Sequence, residues 1–399
     1  MNSPPRLPER VLMISKDPTL LRDRAGFGDT FSRHIYYAQQ LQAQSPGSDI
    51  RILTYAPSSV EHQTLNPTPG LKIYGTASTH RALFIFDAFK QLKRIFADGW
   101  TPTLVTTQEP WEDGQLGLWV ARRYQARFIP QLHFDLTSQD WLGENRLNWV
   151  KRLIAQYTLQ RADTIRAVSQ VQKQKLVEHL HLSSEKIHVI PVGVSFQPSQ
   201  KSKAECQQAI ANSMPGKKSM LGKKVVLFVG RLCPQKNLPL WVSVAQQIHQ
   251  SQPNTHFLVA GDGSLMATMQ QQVNAIDLSQ AFTFLGDMAY SDLPDIFGAA
   301  DVFLLTSYYE GFGRVVVEAQ LAGLPVVSTA CSGPEDILIE GETGYLCTPG
   351  DQKMLSEAVL KLLQDESKCL QFGQKGRSHT TSLFNQAQLT QLLVEMWVD

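Results

Sequence analysis

The 399-residue sequence lacks any apolar run close to 18 residues, so no membrane-spanning helix is expected. Cysteine is scarce. The five cysteines are widely spaced and form no Cys-x-x-Cys pair, which argues against a disulfide framework and against a zinc site. The first apolar segment, Val11–Ser15, is too short for the core of a signal peptide. We therefore expect a cytoplasmic protein with reduced thiols.

Net charge is also small, +1 at pH 7, but the two halves of the chain differ. Residues up to Val192 include 23 Lys and Arg against 17 Asp and Glu, whereas residues from Gly193 onward include 14 against 19. A positive first half can mark an anionic partner, and it can equally be chance scatter. Both interpretations stay open at this point.

Short apolar runs alternate with amphipathic stretches throughout, and hydrophobic residues make up 43% of the chain. This alternation predicts parallel β-sheets covered by helices on both faces. The length suggests two such domains. The segment Gly193–Lys224, rich in Ser, Lys, Gln and Gly, is predicted to be a linker and a variable segment between them. Two facing domains of this kind make a cleft, and ligands of such sheets bind where the strands end.

Glycines and charged residues follow the predicted strands of the second half. After Val225–Gly230 comes GRLCPQKN, with Arg231 and Lys236, two cations that suit a diphosphate. After the strand that ends at Ala260 comes GDGSL, in which Gly261 lets the backbone approach a ligand closely. Taken alone, each would more often be a turn or a surface charge, but their shared position after strands favours a binding site.

The stretch SYYEGFGRVVVEAQ adds two glutamates, Glu310 and Glu318. Glu310 precedes a predicted helix and can accept hydrogen bonds from hydroxyl groups. Gly311 and Gly313 leave backbone N–H groups open to a phosphate or a sugar, at a helix start that itself suits an anion. Glu318, about one turn into the helix, can hold a vicinal diol such as a ribose with both carboxylate oxygens.

These motifs closely resemble those of the family-four retaining glycosyltransferases of the GT-B fold. The resemblance covers essentially all of Val225–Leu363 and rests on FVGRLCPQKN, VAGDGSL, FLGDM, LPDIFGAADVFLLTSYYEGFGRVVVEAQLAGLPVVST and GETGYLCTPGD. In the first half, ADTIRAVSQVQKQKL and IHVIPVGV are similar to the last two strands of the family's first domain. The resemblance implies the GT-B fold, an α/β architecture of two doubly wound, Rossmann-like domains that face each other across a cleft.

The same resemblance implies how the two domains divide the chain. Residues 1–195, joined by a C-terminal helix within 384–399, would bind the acceptor. Residues 196–383, including the linker 196–224, would bind the nucleotide sugar. The last helix, Gln386–Trp397, would cross back onto the first domain.

Site roles also follow from the resemblance, residue by residue. Arg231 and Lys236 would bind the donor diphosphate, Glu318 would bind the ribose, and Glu310 would bind the hydroxyl groups of the transferred sugar. Backbone contacts to sugar and phosphate would come from Gly261, Gly311, Phe312 and Gly313.

His133, in FIPQLHFDL, resembles the family's active-site histidine beside the transferred sugar, and the catalytic set would then be Glu310, His133, Arg231 and Lys236. A capping or core histidine is the alternative.

Three further positions keep two interpretations each. Gly28, with Gly26 in DRAGFGDTFSRH, resembles the family's glycine loop, although the family usually has adjacent glycines nearer the helix, so its contact with diphosphate or acceptor stays open. Arg314 replaces an apolar residue common in the family; it would contact phosphate or acceptor, or be an exposed cation at a helix start. Glu335 would contact the donor sugar or base, or be a helix-start carboxylate.

The segment LFIFDAFKQLKRIF has apolar residues at 85, 88, 89, 92 and 96, with Asp87, Lys90, Gln91 and Arg94 on the opposite side. Such a helix can rest on an anionic membrane, or it can pack on its own sheet. The segment NRLNWVKRLIAQYTLQRAD raises the same alternatives.

The resulting hypothesis is a cytoplasmic retaining hexosyltransferase, with the inner face of the membrane as an alternative location. It would transfer a hexosyl unit from a UDP-sugar or GDP-sugar to a sugar, lipid-linked or other hydroxyl acceptor, in cell-envelope polysaccharide, glycolipid or glycoconjugate synthesis. No metal, further cofactor or nucleic acid is expected. The alternatives are a sugar-nucleotide 2-epimerase of the same fold and a non-catalytic sugar-nucleotide binding protein. An NAD-dependent oxidoreductase is disfavoured because the GFG at Gly26 lacks the third spaced glycine.

Overall fold

The computed structural model describes residues 8–21, 30–60, 63–213 and 220–398. Its contacts divide the chain into two units. The first comprises Met1–Gly193 together with Gln386–Asp399, and the second comprises Val194–Asn385. The second unit is therefore inserted between two parts of the first.

The first unit contains an eight-stranded sheet, with strand order β3-β4-β2-β1-β5-β6-β7-β8. Its strands are β1 (Arg10–Ser15), β2 (Asp49–Thr54), β3 (Thr64–Thr68), β4 (Leu71–Gly75), β5 (Leu104–Thr107), β6 (Arg127–Leu132), β7 (Ile165–Ala167) and β8 (Ile187–Val189). Its first helices are α1 (Thr30–Gln44), α2 (Phe84–Ile95), α3 (Glu112–Tyr124), α4 (Gln139–Glu144), α5 (Arg146–Gln160) and α6 (Gln170–Leu180). All neighbouring strands are parallel except β3 and β4. In β1, Val11, Leu12, Met13 and Ile14 are all fully buried, as expected for a parallel strand with both faces covered.

The second unit contains a six-stranded parallel sheet, with strand order β11-β10-β9-β12-β13-β14. Its strands are β9 (Lys224–Val229), β10 (Thr255–Ala260), β11 (Phe282–Gly286), β12 (Val302–Leu305), β13 (Val326–Thr329) and β14 (Gly344–Cys347). Its helices are α7 (Lys203–Ser213), α8 (Leu238–Ser251), α9 (Met266–Ala275), α10 (Leu293–Gly298), α11 (Arg314–Leu321), α12 (Ser332–Ile337), α13 (Gln352–Gln364) and α14 (Glu366–Leu383). The prediction of two doubly wound, parallel-sheet units is confirmed.

The last helix, α15 (Gln386–Val398), belongs to the first unit. Its Leu393, Val394 and Trp397 are fully buried in the same core as β1 and α1. The Tyr37 and Trp397 rings meet edge to face, 5.9 Å apart. Residues distant in sequence therefore complete the first hydrophobic core.

The interpretation of Gly193–Lys224 as a linker is wrong for its central part, because Lys203–Ser213 form helix α7. This helix packs on α10 and buries Cys206, Gln207, Ile210 and Ala211. The amide of Gln207 donates a hydrogen bond to the Ala299 carbonyl at 3.2 Å. Only one narrow side of α7 is apolar, so its sequence shows little helical periodicity.

Helix α2 packs on its own sheet through Phe84, Ala88, Leu92 and Ile95. It also leaves the Phe86 side chain 69% exposed, so packing does not account for all of its apolar residues. Among the described residues, no helix is both long enough and apolar enough to cross a membrane. All five cysteines are free.

Candidate functional site

The candidate donor site lies where the strand order of the second sheet changes direction. The chain runs from β9 outward through β10 and β11, and then returns to the other side of β9 with β12. The loops after β9 and β12 therefore leave the same edge of the sheet side by side. In open parallel sheets, this carboxyl edge is where ligands bind.

The loop after β9 carries both predicted diphosphate ligands. Gly230 has a φ of +151°, and the chain continues into a short 3-10 helix at Pro234–Lys236. Arg231 is exposed to solvent, whereas the Lys236 side chain is only 11% exposed. The two cations thus differ in exposure, with Arg231 facing solvent and Lys236 largely buried in the site.

Lys236 forms an ion pair with Glu310, with Nζ 2.5 Å from Oε1. The Ser307 hydroxyl donates to the same carboxylate oxygen at 2.7 Å. The Gln235 amide lies 3.5 Å from Oε2 and donates to the Tyr309 carbonyl at 2.8 Å. The Glu310 side chain is 9% exposed, so its charge is compensated by Lys236 and oriented by these hydrogen bonds.

Glycine at 313 begins α11 in a left-handed conformation, with a φ of +80°. Phe312, beside it, is buried and meets Phe384 edge to face at 5.5 Å. The side chain at 312 therefore fixes the loop, and the backbone of Gly311–Gly313 stays at the carboxyl edge of the sheet. Sequence reasoning placed this backbone at the site but gave no role to the ring of Phe312.

Glu318 lies in α11 and is held by two side chains. The Nε of Arg314 is 2.8 Å from Glu318 Oε1, and the Tyr290 hydroxyl donates to the same oxygen at 3.2 Å. The Arg314 guanidinium lies 4.9 Å from the centre of the Tyr290 ring. The exposed helix-start cation considered for Arg314 is wrong, because this side chain is half-buried and paired with Glu318.

At the carboxyl edge of the second sheet, close packing between two loops requires a glycine at position 261. Its φ is +131°, and a Cβ atom there would lie 2.0 Å from the Gly230 carbonyl oxygen. The loops after β9 and β10 therefore touch through their backbones. Glu335, in the first turn of α12, is exposed.

His133 follows β6 at the carboxyl edge of the first sheet. Burial, together with the positive charge of Arg166, lowers the pKa of its imidazole well below the usual value. The ring is therefore neutral at ordinary pH. Gly28, the other predicted site residue of this unit, lies outside the described residues.

Sequence reasoning missed a group of carboxylates after β5. Burial and the neighbouring Asp113 raise the pKa of Glu109 well above its usual range, and burial raises the pKa of Asp113 to about 7. The Asp113 carboxylate accepts a hydrogen bond from the Glu109 backbone N–H at 3.0 Å. Burial opposes ionisation of Glu112, but Lys16 at 3.0 Å outweighs it and lowers the pKa of Glu112. In the second half of the chain, site residues were predicted from charged residues that directly follow a buried strand. Applied to β5, the same rule would have identified Glu109.

Within residues 8–21, 30–60, 63–213 and 220–398, no three His, Cys, Asp or Glu side chains are placed together to hold a metal ion. The charged residues that follow strands at the carboxyl edge of the second sheet include Arg231, Lys236, Glu310, Arg314 and Glu318.

Comparisons with known proteins agree with this architecture. Residues 211–379 match the family described as glycosyl transferases group 1, and residues 32–197 match the family described as glycosyltransferase family 4. The 2-deoxystreptamine N-acetyl-D-glucosaminyltransferase of Niallia circulans is 36% identical over 151 residues, or 38% of this chain and 39% of that protein.

Two solved structures share the fold over nearly the whole chain. Sucrose-phosphate synthase from Thermosynechococcus elongatus has a TM-score of 0.81 at 20% identity, covering 98% of both chains. Anabaena HepE, in complex with UDP-glucose, has a TM-score of 0.75 at 18% identity, covering 97% of this chain and 99% of that one.

Proposed function

The chain belongs to the glycosyltransferases of family 4 and group 1, which match its two halves in turn, and we propose that it is a retaining hexosyltransferase. In this proposal the donor is a nucleoside diphosphate sugar and the acceptor is a hydroxyl group. The observation that carries it is the pairing of Lys236 with Glu310, next to the exposed Arg231, at the carboxyl edge of the second sheet. One edge thus offers cations for a diphosphate and a carboxylate for sugar hydroxyls.

The donor would bind through charges already present in the second unit. Arg231 and Lys236 would contact the diphosphate, and the first N–H groups of α11 would add partial positive charge. Glu310 would accept hydrogen bonds from the transferred sugar, and Glu318 would accept them from the ribose. Arg314 would hold the Glu318 carboxylate in place for that contact.

A UDP-sugar is the first donor to test, since the HepE structure of the same fold is a complex with UDP-glucose. A GDP-sugar stays an alternative, because Arg231 and Lys236 would contact the diphosphate, which is the same in both donors. The N. circulans relative, named for transfer of an N-acetylglucosaminyl unit, supports transfer of a hexosyl group. Cell-envelope polysaccharide, glycolipid or glycoconjugate synthesis is the proposed context.

Retention would follow from front-face transfer. The bond between the anomeric carbon and the diphosphate oxygen breaks, Arg231 and Lys236 stabilise the charge on the departing diphosphate, and the diphosphate takes the proton of the acceptor hydroxyl. The new bond forms on the same face of the sugar. Glu310 acts on sugar hydroxyls in this scheme and forms no bond to the anomeric carbon.

The acceptor is proposed to bind to the first unit. Its sheet edge carries the neutral His133 and the carboxyl group of Glu109, which can orient hydroxyl groups by hydrogen bonding. A neutral histidine can donate a hydrogen bond to an acceptor hydroxyl, or accept one from it, without adding charge.

Proton NMR of the product tests the reaction. Wild-type protein is incubated with an α-configured UDP-sugar and candidate acceptors, and the anomeric signal of the product is measured. We expect an α linkage, reduced turnover for Glu310→Gln, and no covalent sugar on the protein. The matched control, Lys353→Ala on the exposed side of α13, should leave turnover unchanged. A β linkage would refute retention, an adduct on Glu310 would refute front-face transfer, and 2-epimerised donor without acceptor would favour the isomerase.

A further inference from the structure

Helices α2, α3 and α5 of the first unit expose an unusual number of large apolar side chains. We define the apolar face as Phe86, Phe89, Trp119, Leu147, Trp149 and Leu153. Phe86 is 69% exposed and Leu153 is 64% exposed, values ordinary for charged residues. Soluble monomers rarely expose contiguous apolar patches of this kind unless the patch meets a partner.

The apolar face is contiguous across the three helices. The rings of Phe89 in α2 and Trp119 in α3 meet edge to face at 5.0 Å. A groove of about 310 Å³ runs between the helices, and Ile154 of α5 lines it together with these two rings. Leu147 and Ile154 lie on one stripe of α5, so that helix continues the face beyond the groove. The second unit, by contrast, exposes single residues such as Leu370 and Leu383.

Cations lie on two of the helices that carry the apolar face. They are Lys90, Lys93 and Arg94 on α2, and Arg146, Lys151 and Arg152 on α5. The guanidinium of Arg152 lies 5.6 Å from the Trp149 ring and donates a hydrogen bond to the His179 carbonyl at 3.3 Å, so this cation is fixed beside an exposed aromatic ring.

Carboxylates lie near the apolar face as well, and lysines pair with two of them. Asp87 is 3.0 Å from Lys90, and Glu112 is 3.0 Å from Lys16. Glu144 is exposed before α5. Over α2, α3 and α5 together, the chain has eight Lys and Arg against three Asp and Glu, so these helices carry net positive charge.

We propose that the apolar face docks this protein onto an anionic lipid bilayer. Exposed Trp, Phe and Leu flanked by Lys and Arg form the pattern of surfaces that lie in the headgroup region of a membrane. Apolar side chains accompanied by cations match a bilayer with anionic headgroups over acyl chains. Binding to a protein partner, by contrast, would not depend on the charge of lipids. The proposal does not depend on the proposed transfer reaction, because docking needs neither donor nor acceptor.

The groove gives this docking a direction. One of its lining residues is Glu112, whose partner Lys16 directly follows β1. A lipid chain lying in the groove would therefore lead toward the carboxyl edge of the first sheet. Docking by this face would place a membrane-borne hydroxyl close to the proposed acceptor edge.

Vesicle co-sedimentation with the full-length protein tests the proposal. Vesicles of phosphatidylcholine alone are compared with vesicles of phosphatidylcholine and phosphatidylglycerol, at low and at high salt. We expect binding to the anionic vesicles that weakens as salt rises. Replacing Lys90, Lys93 and Arg94 with alanine should reduce the partition coefficient roughly fivefold per cation at low salt.

A second variant, Phe86→Ser with Leu153→Ser, should lose binding at both salt concentrations. The matched controls lie on the second unit: Leu370→Ser with Leu383→Ser, and a triple alanine variant of Lys353, Lys375 and Arg377. These controls should bind like wild type, and circular dichroism should show that every variant is folded. Equal loss in variants and controls, or no wild-type binding to anionic vesicles, would overturn the proposal. So would a dimer in light scattering that Phe86→Ser with Leu153→Ser converts to monomer without any effect of lipid.

Discussion

Substitution of Lys236 and Glu310 gives opposite expectations for nucleotide binding. The Lys236 ammonium is bonded to the Glu310 carboxylate at 2.5 Å, in a site where both side chains are about nine-tenths buried. A diphosphate must therefore share the lysine with the glutamate. Lys236→Ala removes a charge-assisted hydrogen bond to phosphate, which is worth about 1.5–3 kcal/mol, or roughly 10- to 150-fold in affinity.

Glu310→Gln should act in the other direction on UDP, which has no sugar for the glutamate to bind. The amide keeps the hydrogen bond from Ser307 but removes a negative charge next to the phosphate site. We expect UDP affinity to rise by about 1–2 kcal/mol, or roughly 5- to 30-fold. For a UDP-sugar, the gain should shrink because hydrogen bonds to the sugar are weakened.

Isothermal titration calorimetry with UDP and with the UDP-sugar measures both effects on the same proteins. The control is Lys353→Ala, an exposed cation of the same unit. Wild-type UDP affinity in a folded Lys236→Ala variant would refute the diphosphate role of this lysine. Weaker UDP binding in Glu310→Gln would refute the argument that the ion pair competes with the nucleotide.

Two further predictions concern stability. The pKa of Asp113 is raised to about 7 by burial, so the native state holds its proton and wild-type stability falls as pH rises from about 4 toward 7. Asp113→Asn removes this dependence, and its free energy of unfolding relative to wild type should rise by about 2–3 kcal/mol between pH 5 and pH 8 in urea titrations. A pH-independent difference would contradict the buried acid. Gly261→Ala places a methyl group 2.0 Å from the Gly230 carbonyl oxygen. Its control is Gly286→Ala, where φ is also positive but no atom lies close to the added methyl group, and which should lower the free energy of unfolding by roughly 1–2 kcal/mol. Gly261→Ala should lower it several times as much. Equal costs would show that the loops separate easily.

The sequence predicts the sheets well because their strands are continuous apolar runs, such as Val225–Phe228 in β9, all fully buried. It misses β3, which contains Pro67 and pairs only along one side, antiparallel to β4. It also misses α3, where Gly114 and Gly117 weaken the helical signal. A Cβ atom at 117 would lie 2.4 Å from a Thr107 methyl, so packing on β5 explains that glycine.

The candidate site, like the fold, could be predicted from the sequence only in part. The placement of Arg231, Lys236, Glu310 and Glu318 at one sheet edge follows from the rule that ligands meet strand ends, and the structure brings these residues to that edge. Which charges bond to each other does not follow from that rule. The four-residue spacing of Arg314 and Glu318 could have predicted their pairing. The ion pair of Lys236 and Glu310 joins residues 74 positions apart, and only the folded chain brings them together.

The insertion of the second unit has a consequence for how the protein folds as it is synthesised. The first core needs Leu393, Val394 and Trp397, which leave the ribosome about 200 residues after β8. During that interval part of the apolar surface of the first sheet stays exposed to solvent, while the second unit can complete its own core. Such long-range closure slows folding and exposes an intermediate to aggregation and to chaperones. The order of completion is thus the reverse of the order of synthesis: the half made second is finished first.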